Sequence, residues 1–176
     1  MQTEKRLRGV ARELFADRGF ADVSIDEVAE TAGVTRGAVY HHFASKRGLF
    51  EAVLADAQAT IADAVARAAP GDGWEALADG SVAFLRTAVD PRIRRIVLVD
   101  GPAVVGWDTW RRADAENSVR LLAEGLAALD NLAVDAGAAG ALLSGAMNEA
   151  ALWIAQGGDP DLAEAALRRM IAALRR

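Results

Sequence analysis

Apolar positions recur at intervals of three and four along almost the whole chain, the period of helices that each bury one face. Leu7, Val10, Ala11, Leu14 and Phe15 form the first stripe and predict a helix over residues 3–19, ended by Gly19. Phe20 and Val23 are placed to pin the connection that follows. Ser24 with Glu27 three residues later is a capping box, and Ile25, Val28, Ala29 and Ala32 continue at helical spacing until Gly33. Thr35 then caps another short helix reaching Phe43, so residues 24–43 read as helix–turn–helix. Ser45 opens a long helix from Lys46 to about residue 68, stopped by Pro70-Gly71-Asp72-Gly73.

The later pattern predicts a helix from Trp74 to about Val89 and a short one started by Asp90-Pro91, with a break at Asp100-Gly101-Pro102. From about Val105 a long helix is expected, carrying Trp107, Trp110, Val119, Leu122, Leu126 and Leu129. Two more follow, over about 134–156 and 160–175, separated by Gly157-Gly158-Asp159-Pro160 with Asp159 as cap and Pro160 in the first turn. The expected fold is therefore all-α.

Within the helix–turn–helix the second helix has two unlike sides. At about 100° per residue, Ala38, Val39, His42 and Phe43 share the side that packs inward, and Arg36, Gly37, Tyr40 and His41 the other. An arginine suits guanine O6 and N7, a tyrosine hydroxyl suits a phosphate, and a glycine lets a backbone come close. A solvated helix face carrying two aromatics fits the same periodicity.

The run Thr35-Arg36-Gly37-Ala38-Val39-Tyr40-His41-His42-Phe43, with Ser45, Lys46 and Leu49, resembles the signature of the tetracycline-repressor (TetR) family of bacterial transcription regulators over about residues 4–55. The resemblance implies a DNA-binding domain over 1–50 and a helical domain over 51–176 for effector binding and dimerisation. It places Ser24, Thr35, Arg36, Gly37, Tyr40, His41, His42 and Lys46 at DNA, with Thr35 and Lys46 at helix starts that suit phosphates. The pattern departs at Arg47, where the family has an acidic residue, and Gly48 weakens the turn after it.

Composition sets limits on the alternatives. The 176 residues are 52 % hydrophobic and contain no cysteine, which removes disulfides, thiolate metal sites and thiol catalysis. Residues 1–50 hold eight basic and seven acidic residues, whereas the remainder holds twelve and eighteen. The net charge of −5 therefore sits in the C-terminal part, away from the motif. No apolar run approaches the ~20 residues of a membrane helix, and no leader-like segment follows Met1, so a soluble cytoplasmic protein is expected.

No metal site, cofactor or catalytic group is expected. His41 and His42 diverge by about 100° on a helix, and no nucleophile–base or phosphate-loop motif is present. The arginines Arg92, Arg94 and Arg95 fit an anionic ligand or, more simply, a solvated face or salt bridges to the acidic surroundings.

All four tryptophans lie beyond residue 50. The resemblance implies a pocket for a small-molecule effector, with Phe84, Trp107, Trp110 and Trp153 as candidate lining, although ordinary core packing also explains them. It also implies a homodimer joined through the last two helices, with Leu142, Leu167, Met170, Ile171 and Leu174 at the interface. The expected function is a ligand-responsive regulator, most simply a repressor, on a palindromic double-stranded operator. The competing reading is a helical protein-interaction module whose DNA motif no longer functions.

Overall fold

The computed structural model describes residues 2–176, and among these the fold is all-α, with one isolated antiparallel bridge between Leu132 and Arg175. The helices are α1 (Gln2–Arg18), α2 (Ile25–Thr31), α3 (Arg36–Phe43), α4 (Lys46–Ala68) and α5 (Trp74–Ala88). They are followed by α6 (Pro91–Arg94), a π-helical segment (Arg95–Asp100), α7 (Gly101–Val105), α8 (Trp107–Ala115), α9 (Ser118–Ala127), α10 (Ala136–Ala155) and α11 (Pro160–Ala173).

The chain forms two compact units, residues 1–57 with 91–110, and residues 58–90 with 111–176. The division thus differs from the one expected at residue 50, because the segment 91–110 packs with the N-terminal helices: α6 and the π-helical segment lie against α1.

Two expected boundaries are corrected. The break at Asp100–Pro102 is instead a passage from π-helix into α7, with Gly101 in right-handed helical geometry and Pro102 in the first turn. A proline is tolerated there because a first-turn N–H has no intrahelical acceptor. Gly101 fits because a Cβ would stand 2.9 Å from the Ile96 carbonyl oxygen and 3.0 Å from Trp110 Cδ1. The single long helix expected from Val105 is two helices, since Asn117 (φ −117°, ψ −111°) interrupts it and turns its side-chain amide back to the Ala113 carbonyl at 2.7 Å.

The core of the first unit is an aromatic cluster. Phe15 lies 5.4 Å from Phe50 and 5.8 Å from Phe20, and Phe20 lies 5.2 Å from Phe50, centroid to centroid. Leu7, Val23, Val28, Val39, Leu49 and Val53 close around them, all at most 1 % exposed. In the second unit α5 is packed by α9, α10 and α11, which bury Leu85, Leu126 and Ile171. Salt bridges Arg86–Glu164 (2.6 Å) and Arg168–Asp79 (2.8 Å) flank the α5–α11 contact.

One core position breaks the pattern. Gln58 on α4 is 2 % exposed, yet neither its amide nitrogen nor its carbonyl oxygen has a hydrogen-bond partner among the described residues. Burying an unpaired amide costs about 1–3 kcal/mol. Gln58→Met, which keeps the length and removes both polar atoms, should therefore raise stability by roughly that amount, read as a higher urea midpoint at unchanged slope.

Candidate functional site

The α2–turn–α3 unit is built from caps. Ser24 Oγ accepts from the Glu27 N–H at 3.1 Å, and the Glu27 carboxylate accepts in return from the Ser24 backbone. Glu27 is also paired with Arg18, whose hydrogen bond is the main reason its carboxyl titrates below the ordinary range. Thr35 Oγ1 accepts from the Ala38 N–H at 3.2 Å and so starts α3. Gly33 between them takes φ +63°, the left-handed geometry that ends α2 without steric cost.

On α3, Val39 and Phe43 face inward at 1 % and 9 % exposure, while Arg36, Gly37, Tyr40 and His41 face solvent. His42 is also exposed, not on the packed side where periodicity puts it. Arg36 is held between α2 and the next turn of its own helix. Its Nη1 meets Asp26 Oδ2 at 2.8 Å, its Nη2 donates to Tyr40 Oη at 3.3 Å, and its guanidinium stands 5.4 Å from the Tyr40 ring centre. The Tyr40 hydrogen bond, then the Asp26 charge, hold the guanidinium above its usual range. Both partners are exposed, so the pair is easily exchanged for an outside acceptor.

Lys46 begins α4 beside this face. Its Nζ donates to the Ala21 carbonyl at 3.2 Å and lies 4.3 Å from the centre of the Phe20 ring, and burial lowers its pKa. An ammonium has three donors, so protons remain for a further acceptor. The turn that brings α4 here is tight. Ala44 takes φ +59°, Ser45 N–H donates to the Phe43 carbonyl at 2.6 Å, and a Cβ at Gly48 would collide with that same carbonyl oxygen. Gly48 is therefore required by close approach. Arg47, where an acidic residue was expected, donates to Glu51 (2.9 Å) and to the Val105 carbonyl (3.1 Å).

The corner after α1 is held from far along the chain. Arg95 donates to the carbonyls of Asp17 (3.1 Å) and Arg18 (2.9 Å), closing the C-terminal end of α1 over Gly19, and Asp100 accepts from the Phe20 N–H at 2.9 Å. The sequence pattern suits a solvated, salt-bridged or anion-binding Arg95, and no signal within its own segment points to backbone partners 77 and 78 positions away.

The second unit carries a half-open cavity of about 270 Å³ among α4, α5, α9 and α10, with Val65, Leu77, Phe84, Leu122 and Met147 in its wall. Of the four aromatics proposed for a pocket, only Phe84 lines it. Trp110 is buried in the first unit with its N–H on the Val97 carbonyl at 2.7 Å. Trp107 does share its face, ring centres 5.0 Å apart, but is 62 % exposed. Trp153 covers Gly158 at the turn after α10, where a Cβ would strike the indole. Trp110 is thus spent on packing and Trp153 on turn closure.

The candidate interface residues also divide. Leu167 and Ile171 are 4 % and 1 % exposed because that side of α11 faces α5 within the protomer, and Leu174 is half-buried. Leu142 and Met170, at 74 % and 46 %, remain outside, together with Trp153 and Leu162, which were not singled out for this role.

Comparison with known proteins places these features in one context. Residues 7–53 match the family model for bacterial regulatory proteins of the tetR family, and residues 74–176 match the tetracyclin repressor-like C-terminal domain. The Tn10 TetC protein of Escherichia coli is 31 % identical over 120 residues, 65 % of this chain and 58 % of TetC. The regulator SrpR of Pseudomonas putida is 46 % identical over 57 residues, 32 % of this chain and 27 % of SrpR. The chain therefore spans well under two thirds of the length of these curated relatives. A TetR-family transcriptional regulator from Pectobacterium atrosepticum, solved by crystallography, is 35 % identical with a TM-score of 0.75, covering 98 % of this chain and 92 % of its own.

The two glycines of the motif should respond oppositely to one added methyl. At Gly37 a Cβ would meet only Thr35 Oγ1 at 3.8 Å, so Gly37→Ala should stabilise the fold by about 0.5–1 kcal/mol. Gly48→Ala should destabilise it by roughly 1–3 kcal/mol through overpacking. Thermal unfolding of the two variants checks both signs.

Proposed function

Because the chain belongs to the TetR family of bacterial regulatory proteins, we propose that it is a cytoplasmic, dimeric transcriptional repressor that holds a near-palindromic DNA operator and releases it on binding a small molecule. The observation that carries this reading is the outward side of α3, where Arg36, Gly37, Tyr40 and His41 stand exposed on a helix fixed from behind by Val39 and Phe43. Gly37 supports it in a particular way. Nothing inside the protein requires a glycine there, since its backbone is ordinary and its surroundings open. A bare backbone at that point suits the approach of a nucleic-acid sugar–phosphate chain.

Arg36 reaches a base edge by exchanging Asp26 for guanine O6 and N7. Lys46, Thr35 and Ser24 stand at helix starts, where N–H groups and positive charge suit phosphates. Tyr40, His41 and His42 complete the surface. Among the described residues no helix is long and apolar enough to cross a membrane, and no cluster of side chains suits a metal ion.

Dimerisation is assigned to the exposed sides of α10 and α11. Leu142, Leu162 and Met170 are large apolar residues left outside the protomer, beside small residues such as Ala138, Ala141, Gly145 and Ala166 that admit a close helix. A two-fold pair presents two copies of α3, which accounts for a palindromic target. The effector is assigned to the cavity walled by Leu77, Phe84 and Leu122.

Two experiments test this. Leu142→Asp with Met170→Asp should give a folded monomer in light scattering, whereas Leu167→Asp should unfold the protomer because it buries a carboxylate in the α5–α11 contact. A dimer that survives the first pair moves the interface elsewhere. On DNA, Arg36→Ala should weaken operator binding roughly 10- to 100-fold with little effect on random DNA. Lys46→Ala should weaken both alike and reduce the slope of log affinity against log salt by about one. DNA binding that is absent, or indifferent to salt, would favour a protein-interaction module instead.

A further inference from the structure

The cavity in the second unit has a one-sided hydrogen-bonding character. Its wall is mostly aliphatic, with two hydroxyls, Ser81 and Ser118, and two carboxylates, Asp72 and Glu124, near solvent. No lysine, arginine, histidine, asparagine, glutamine or tryptophan is among the described lining residues. Both hydroxyl protons are already committed. Ser81 Oγ donates to the Leu77 carbonyl at 2.8 Å, and Ser118 Oγ donates to Asp114 Oδ1 at 3.2 Å. A hydroxyl has one proton and two lone pairs, so each serine has only acceptor capacity left for a guest.

Charge points the same way. Asp114, behind Ser118, is 5 % exposed and paired with the part-exposed Arg111, whose Nη1 lies at 3.4 Å, so the pair brings no net positive charge. Glu124 is matched by Arg120 at 2.7 Å. The start of α5 at Gly73 has no side-chain cap and would favour an anion, but Asp72 and Glu75 already bring negative charge to it. Size sets the last limit. A dry apolar cavity of ~150 Å³ holds a benzene ring, so 270 Å³ suits one ring with a short side chain.

We infer that this cavity takes a compact apolar molecule whose polar end is a hydrogen-bond donor, an amine or hydroxyl, and rejects carboxylates and other anions. The inference rests on reading the cavity as the effector site. A carboxylate guest has only acceptors to offer to the two serines, and its desolvation would go uncompensated.

Four probes of one shape test it on the full-length protein: phenethylamine, 2-phenylethanol, phenylacetate and ethylbenzene, titrated by calorimetry. The amine and the alcohol should bind at least about tenfold more tightly than phenylacetate, the discrimination expected when a buried polar group is left unpaired. Ser81→Ala with Ser118→Ala should weaken the amine and alcohol several-fold and leave ethylbenzene unchanged. Ala76→Phe, or Leu121→Phe should the first not fold, fills the space and should abolish binding of all probes.

Phenylacetate binding as tightly as the amine, and lost on filling, overturns the donor rule and leaves the cavity as a site. Probe binding that survives filling, or no binding by any probe, overturns the inference itself. If the amine binds in the cavity without changing affinity for the DNA upstream of the gene, the effector reading fails while the ligand class stands.

Discussion

Eight residues of α-helix do not hold their shape in water, because the cost of nucleation exceeds what two turns of hydrogen bonds return. Helix α3 therefore exists only through what is buried behind it. Val39 and Phe43 are buried on its inner side, α2 packs against it, and Thr35 fixes its first turn. The outward side chains inherit their positions from that packing. A volume change at Val39 or Phe43 would be felt at Arg36 and Tyr40 although both lie on the other side of the helix, since a close-packed interior transmits displacement instead of absorbing it.

The same dependence runs through the backbone around the motif. The entry to α2 is held by Arg95 on the last carbonyls of α1 and by Asp100 on the Phe20 N–H. The exit from α3 is held by Ala44 in left-handed geometry and by the contact between the Phe43 carbonyl and Gly48. Phe20 links the two ends, being fixed through its N–H by Asp100 while its ring lies under the Lys46 ammonium. The candidate phosphate contact at Lys46 is thus placed by residues about eighty positions apart. The π-helical form of residues 95–100 accompanies this, with Asp100 closing it.

Polar groups in the interior follow two policies. In the Arg111–Asp114–Ser118–Ser144 cluster each group has a partner, and burial accordingly raises the Asp114 pKa against the opposing pull of Ser118 and Arg111. Gln58, by contrast, is buried with no hydrogen-bond partner among the described residues, at a local free-energy cost.

Much of this was legible in the chain itself, and for a common reason. Caps and stripes are local, so Ser24, Thr35 and Asp159 mark helix starts within three residues of the N–H groups they accept from, Pro160 marks a first turn, and spacing alone separates the inner side of α3 from most of its outer side. The all-α fold, the helix–turn–helix and the family resemblance all rest on such short-range signals. What covers a stripe is not a local property. Leu167 and Ile171 form a seam that fits a partner subunit or the protein's own α5 equally well, and only the tertiary structure assigned them to α5. The tryptophans were ambiguous in the same sense, because an indole serves a pocket wall, a core or a turn without any change in sequence pattern. Arg95 and Asp100 were illegible outright, since their acceptor and donor are backbone atoms some eighty residues away and carry no side-chain signature. The sequence by itself determined most of the helices and most of their apolar sides; the tertiary structure alone decided which apolar sides meet, because that choice depends on contacts between segments that no local period records.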